Sequence, residues 1–228
     1  MVLSWATFWV LRLKTAKNKI NSYLSEKNGI RRLSGSVFYA KIHHMKDIII
    51  LMGGQGVGKG TFARMLRERH DYKYIETGNI LRESAKTNKK IADIMQRGEL
   101  LPFEMLTEIV ANNMDTQRDC LLDGFPRTLA QAQWLVKTYA NKFNIHVLYL
   151  NVPAEIMIQR IQKRIQDGGG RADDADTNAV RKRLDLFFQE TMPAIEWLRT
   201  APGIRFSDVD VSGPVDENFK NILTALGQ

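Results

Sequence analysis

Gly53-Gly54-Gln55-Gly56-Val57-Gly58-Lys59-Gly60-Thr61 sets five glycines and a lysine directly behind the apolar run Ile48-Ile49-Ile50-Leu51-Met52. The spacing Gly53-x4-Gly58-Lys59 is that of a phosphate-binding loop. Glycines let backbone N–H groups converge on an anion and take positive φ without strain. A helix opening behind the loop adds unpaired N–H donors and a partial positive charge. Lys59 brings a point charge for the β- and γ-phosphates of a nucleotide. In the generic pattern a hydroxyl follows the lysine at once; here Gly60 intervenes and the hydroxyl is that of Thr61.

Phosphate binding names a ligand, not a reaction. The arginines narrow the chemistry. Asp123-Gly124-Phe125-Pro126-Arg127 closes the apolar stretch Asp119–Asp123, and an acid at such a strand end can hold the hydration shell of Mg²⁺. Thr77-Gly78-Asn79-Ile80-Leu81-Arg82 puts a further arginine on a short helix. Arg160 and Arg164 are one helical turn apart, Arg171 follows the triplet Gly168-Gly169-Gly170, and Arg181-Lys182-Arg183 begins a long helical stretch. Singly, each reads as a solvated surface charge. As a set they are more cation than folding needs. Phosphoryl transfer between two phosphate esters does need them, because planar guanidinium forks neutralise the moving group and orient both reactants.

The elements that must carry these groups alternate. Strands are expected at Ile48–Met52, Tyr72–Glu76, Asp119–Asp123, His146–Asn151 and Ile204–Val209. Helices are expected at Thr61–His70, Phe103–Met114, Leu129–Ala140, Ala154–Arg164 and Ala179–Arg199. Such alternation predicts right-handed crossovers and a mainly parallel sheet with helices on both faces. The glycine triplet reads as a mobile loop.

The 228 residues suit one domain with a substantial core, and 25% charged with 44% apolar residues excludes disordered and collagen-like chains. The net charge of +8 is not a nucleic-acid signature, because residues 1–46 hold nine Lys/Arg against Glu26 alone. The remaining 24 cations are balanced by 24 acids. Residues 1–45 therefore read as a basic extension outside the fold. Three readings stay open for it: an organellar transit peptide, a helix resting on an anionic membrane surface, or upstream sequence ahead of a start at Met45. Its apolar opening, Met1–Leu13, is too short to span a bilayer. The single Cys120 rules out an internal disulfide and a cysteine metal cage, and cytoplasm is the default compartment.

In residues 46–228 the sequence resembles the nucleoside monophosphate kinases, and within them the adenylate kinases. The resemblance rests on Gly53–Thr61, Thr77–Arg82, Asp123–Arg127, Gly170-Arg171-Ala172-Asp173-Asp174 and Arg181-Lys182-Arg183-Leu184, in the family's order. It implies a P-loop NTPase-type α/β fold of three layers, with a five-stranded parallel sheet, an NMP-binding segment at 76–101 and a short lid at 165–176. It implies ATP phosphates on Gly56, Val57, Gly58, Lys59, Gly60 and Thr61, with Arg160 and the backbone near Gly213 against the ATP base. AMP would meet Thr77, Arg82, the backbone of Glu99, Leu100 and Leu101, Gly124, Phe125, Pro126, Arg127 and Gln131. Lys59, Arg127, Arg164, Arg171 and Arg183 would surround the transferring group, and Asp123 would reach the metal through water.

Thr77-Gly78 and Gln131, four residues beyond Arg127, are the positions that imply adenine, since an amide offers a donor and an acceptor to its N1 and amino group. The resemblance thus implies a Mg²⁺-dependent enzyme without zinc that converts ATP and AMP into two ADP; nothing in the sequence suggests an obligate partner, and a monomer is expected. Alternatives are a UMP/CMP kinase of the same fold and a phosphate-loop ATPase or nucleotide-binding regulator. This chain departs from the family at Gln55, where proline is usual, and at Asn79, where aspartate is common and whose loss shifts metal binding onto Asp123. One extra residue between Arg171 and Arg183 leaves Arg181 and Arg183 as alternatives for the last arginine.

Overall fold

The computed structural model describes residues 45–167 and 177–228, with backbone alone for 177–180. The chain divides into Met1–His44 and Met45–Gln228. The first unit lies outside the described residues, as do the glycine triplet and Arg171.

Five strands form one parallel sheet: β1 (Lys46–Met52), β2 (Lys73–Glu76), β3 (Cys120–Asp123), β4 (Phe143–Asn151) and β5 (Ile204–Asp210), in the order β2-β3-β1-β4-β5. Side chains alternate across it. Ile48, Ile50, Met52, Cys120, Leu122 and Val147 face one layer, made by α3 (Lys89–Gln96), α4 (Phe103–Asn113), α5 (Leu129–Tyr139) and α8 (Met192–Thr200). Ile49, Leu51, Leu121, Leu148 and Leu150 face the other, made by α1 (Lys59–Arg69), α6 (Ala154–Gln166) and α9 (Val215–Leu226). Burial on both faces is why these strands read as unbroken apolar runs. The short α2 (Thr77–Ala85) follows β2, and α7 (Thr177–Leu186) leads into α8.

The fold expected from sequence is present; β4 starts three residues earlier than expected, at Phe143, the helix α3 is not among those expected, and three further differences have a physical reason or bear on the site. First, α1 begins at Lys59, two residues early, because Gly58 adopts φ 98° as the helix cap and its carbonyl accepts the Phe62 N–H at 3.1 Å. Second, the single helix expected over Ala179–Arg199 is interrupted by a π-helical turn, Phe187–Thr191. Pro193 explains the break: it has no N–H to give, and its ring crowds the carbonyl four residues back. Third, α9 follows β5, a helix outside those expected from the sequence.

Strand order fixes the location of any site. From β1 the chain goes to β2 and β3 on one side and then crosses to β4 and β5 on the other, so the topological switch point, where ligands bind in open parallel sheets, lies at the C-terminal end of β1. Every motif singled out at a strand end lies on that edge.

One buried group makes stability depend on pH. His146 in β4 is 6% exposed, with Nε2 3.0 Å from Ser207 Oγ of β5. Burial, followed by the nearby Arg205 cation, pushes its pKa from 6.5 down to about 4. The unfolded chain thus takes up a proton that the folded chain refuses between those values. The His146 contribution is fully present above about pH 7 and falls by about 2 kcal/mol as the pH drops to 4.5. Urea midpoints at pH 7 and 4.5 should show this fall in the native protein and a smaller one in His146→Gln. Equal falls would contradict the assignment.

Candidate active site

After Met52 the chain turns through the glycine loop into α1. Lys59 Nζ donates to the carbonyls of Gly53 at 2.7 Å and Gly54 at 2.9 Å, which draws the ammonium back over the loop. Val57 is in the core, so its backbone is what faces the loop. Gly60 and Thr61 are exposed in the first turn of α1, and a Cβ on Gly60 would meet no atom within 4 Å. Packing does not require that glycine, and in a helix it costs about 1 kcal/mol relative to alanine.

Beside β1, β3 and then β2 end side by side with Glu76 opposite Asp123, while Asp123 is also in register with Leu51 of β1. Gly124 follows at φ 84°, and a Cβ there would lie 2.7 Å from Thr77 Oγ1 and 3.1 Å from Arg127 Nη2. Only glycine permits that approach. Thr77 Oγ1 donates to the Asp123 carbonyl at 3.3 Å, and Arg127 Nε donates to the Gly124 carbonyl at 2.8 Å. Arg82 lies against Gly78, with Nη1 3.2 Å from that residue's virtual Cβ, and its Nη2 meets Glu76 Oε1 at 3.0 Å. Arg82 and Arg127 therefore border one corner, formed by Thr77-Gly78 and Gly124, and Phe125 behind it is buried.

Gln131 is 2% exposed rather than a surface residue of the early helix. Its Oε1 accepts the Arg127 backbone N–H at 2.7 Å, and its own N–H donates to Thr128 Oγ1, the cap of α5, at 3.3 Å. The candidate base reader thus also fixes the arginine turn.

On the other flank, Arg160 Nη2 faces the carbonyls of Val211, Ser212 and Gly213 at 2.8, 3.2 and 3.4 Å, which brings together the two groups expected beside the ATP base. Asn218 Nδ2 holds the same segment through Val211 and Gly213 at 2.9 and 2.7 Å. Arg164 lies one turn along α6 and is half-buried. On α7, Arg183 is half-buried and Arg181 exposed. Lys182 Nζ donates to the Arg97 carbonyl, so α7 touches the end of the 76–101 segment beside Gly98. Glu99 is exposed and pairs with Arg97 at 3.0 Å, Leu100 is half-buried, and Leu101 belongs to the core.

Sequence reading passed over Tyr74, Glu76 and Asn218. The Tyr74 hydroxyl lies 3.3 Å from Asp123 Oδ2 and 3.4 Å from Glu76 Oε2, with the Arg67 guanidinium over its ring at 4.8 Å. Burial first, then the Asp123 and Glu76 carboxylates, raise the phenol's pKa and keep it a donor. Only the β2–β3 register joins these residues, and no spacing in the chain announces it.

The family profile described as Adenylate kinase matches residues 51–202. The chain belongs to the adenylate kinase family. It is 31% identical over 189 residues to Adenylate kinase isoenzyme 1 of Cyprinus carpio, covering 79% of this chain and 94% of that protein. It is 36% identical to Adenylate kinase of Parvibaculum lavamentivorans, covering 78% and 91%. It is 30% identical to Adenylate kinase isoenzyme 1 of Homo sapiens, covering 78% and 93%. The profile match spans the glycine loop, the Thr77–Arg82 and Asp123–Arg127 motifs, and α6 to α8.

Proposed function

We propose that this adenylate kinase family member transfers the γ-phosphoryl group of ATP reversibly to AMP, giving two ADP. The observation that carries the reading is one sheet edge with two cationic clusters of different make, each suited to an anion: a lysine and glycine loop after β1, and an arginine corner after β2 and β3. A hydrolase needs the first. The second gives an acceptor phosphate its place.

Lys59 exchanges its loop carbonyls for the β- and γ-phosphates as ATP enters, while the N–H groups from Gly56 to Thr61 take the remaining oxygens. Arg160 and the Gly213 turn border the ATP base. Arg82 and Arg127 hold the AMP phosphate, with Thr77 and the backbone of Glu99–Leu101 alongside, and the Gln131 amide reads the base. An AMP phosphate is largely dianionic at pH 7, so the attacking oxygen needs no general base. The side chains of Arg164 and Arg183 neutralise the moving group, and the half-buried Arg183 fits this better than the exposed Arg181. Arg171 shares that role in the reading and lies outside the described residues. The chain's contribution is alignment, charge and exclusion of competing water.

Oxygen donors suit Mg²⁺: the Asp123 carboxylate, 6% exposed, sits beside the phosphate loop, and Asp123 would hold the ion through water. Mg²⁺ brought in on ATP would neutralise β- and γ-oxygens.

The kinase domain runs over 46–228, with the AMP side at 76–101. The charge-neutral body and lone cysteine support a cytoplasmic protein that does not bind nucleic acid. Among the described residues no helix is long and apolar enough to cross a membrane.

An acceptor panel tests the reading: with ATP and Mg²⁺, AMP should give ADP far faster than CMP, UMP or GMP. Faster turnover of CMP or UMP would reject it. Gln131→Glu keeps an oxygen for the Arg127 N–H and loses the amide donor, so the AMP-to-CMP preference should fall about tenfold. Unchanged selectivity would remove Gln131 from base reading.

A further inference from the structure

The π-helical turn Phe187–Thr191 sits between the helix that bears Arg183 and the core helix α8. Its two ends point inward and its middle does not: Phe187 and Thr191 are buried, while Phe188, Gln189 and Glu190 are exposed. At one end the Phe187 ring borders the phosphate loop, with Cδ1 3.7 Å from a virtual Cβ on Gly54. At the other, Thr191 Oγ1 donates to the backbone carbonyl of Arg127 at 3.0 Å.

Arg127 stands between β3 and the cap of α5, outside any ladder that would fix its peptide groups. Its N–H is held by Gln131 Oε1 and its Nε by the Gly124 carbonyl, both bonds local to the turn. Thr191 is 64 residues away. Its bond ties the turn to the helical layer that packs on the sheet. A π turn adds a residue to the helix, and such insertions recur where a side chain must be re-aimed at a site. We propose that Thr191 is a positioning residue for the acceptor side of the reaction, holding the Arg127 peptide so that its guanidinium meets the acceptor phosphate. This rests on the reading of Arg127 as an AMP ligand.

The test compares Thr191→Val, which swaps the hydroxyl for a methyl of like size, with Thr191→Ser, which retains it. Loss of the O–H in Thr191→Val should lower kcat/KM for AMP about tenfold, because a part-buried carbonyl loses its donor and the arginine its restraint. KM for ATP should stay within about twofold, and Thr191→Ser should recover most of the loss. On an Arg127→Ala background the valine change should add little further, since the residue acts through that arginine. A general packing defect would instead affect both nucleotides alike, add fully to Arg127→Ala and lower the melting temperature in step with activity. That pattern, or an unaltered kcat/KM for AMP, overturns the proposal. If Thr191→Val does not fold, Thr191→Ala is read by the same criteria. A native enzyme that makes no ADP from ATP and AMP would reject the functional reading, whereas an active one indifferent to Thr191→Val rejects the positioning role alone.

Discussion

Lys59→Met should lower kcat by about two to three orders of magnitude while leaving the fold intact. Methionine keeps an unbranched stem of similar length and removes the charge. What goes with it is the ammonium that now bonds the Gly53 and Gly54 carbonyls and that would follow the charge developing on the β- and γ-phosphates. Preorganised charge in a site shielded from water contributes about 3–4 kcal/mol per donor, and each 1.36 kcal/mol is about tenfold in rate. Folding does not lean on the ammonium: the buried residues of α1 are Phe62, Ala63 and Leu66. Steady-state kinetics beside a thermal melt decides the matter. A kcat within tenfold of the native value would refute the role given to Lys59.

Arg127→Ala should strike the other substrate. The guanidinium is anchored by Nε on the Gly124 carbonyl, and its Nη2 edge lies toward Gly124 and Thr77 in the corner shared with Arg82. Its removal should raise KM for AMP and cut kcat/KM for AMP by about a thousandfold, with KM for ATP changed little. Arg127→Lys should rescue poorly, because a single ammonium cannot present a planar fork to a phosphate. Equal damage to both KM values, or full rescue by lysine, would speak against an acceptor-side arginine.

What the sequence made legible were features whose physics is local. A glycine run behind an apolar strand has few other uses, and strands buried on both faces announce themselves as continuous Ile, Leu and Val. The ends of β1 and β3 and the helices α5 and α6 fall within a residue or two of where the pattern put them. Features made by contacts across the sheet were not legible. Tyr74 and Glu76 join Asp123 only through the pairing of β2 with β3. The burial of Gln131 depends on how α5 packs, and an amide at the start of a helix looks the same in sequence whether wet or dry. Two misses had readable signals. Pro193 marks the interruption before α8, and Pro214, the acids Asp216 and Glu217 and the terminal Gly227 outline α9.

The central claim is that phosphorus passes from one nucleotide to another in a shared cleft and not to solvent. Phosphorus NMR of the native protein with Mg²⁺ and ATP, before and after AMP is added, measures this directly. The account predicts almost no inorganic phosphate in either stage, no ADP before AMP, and two ADP formed for each AMP consumed. Steady release of inorganic phosphate from ATP alone, unaltered by AMP, would contradict it.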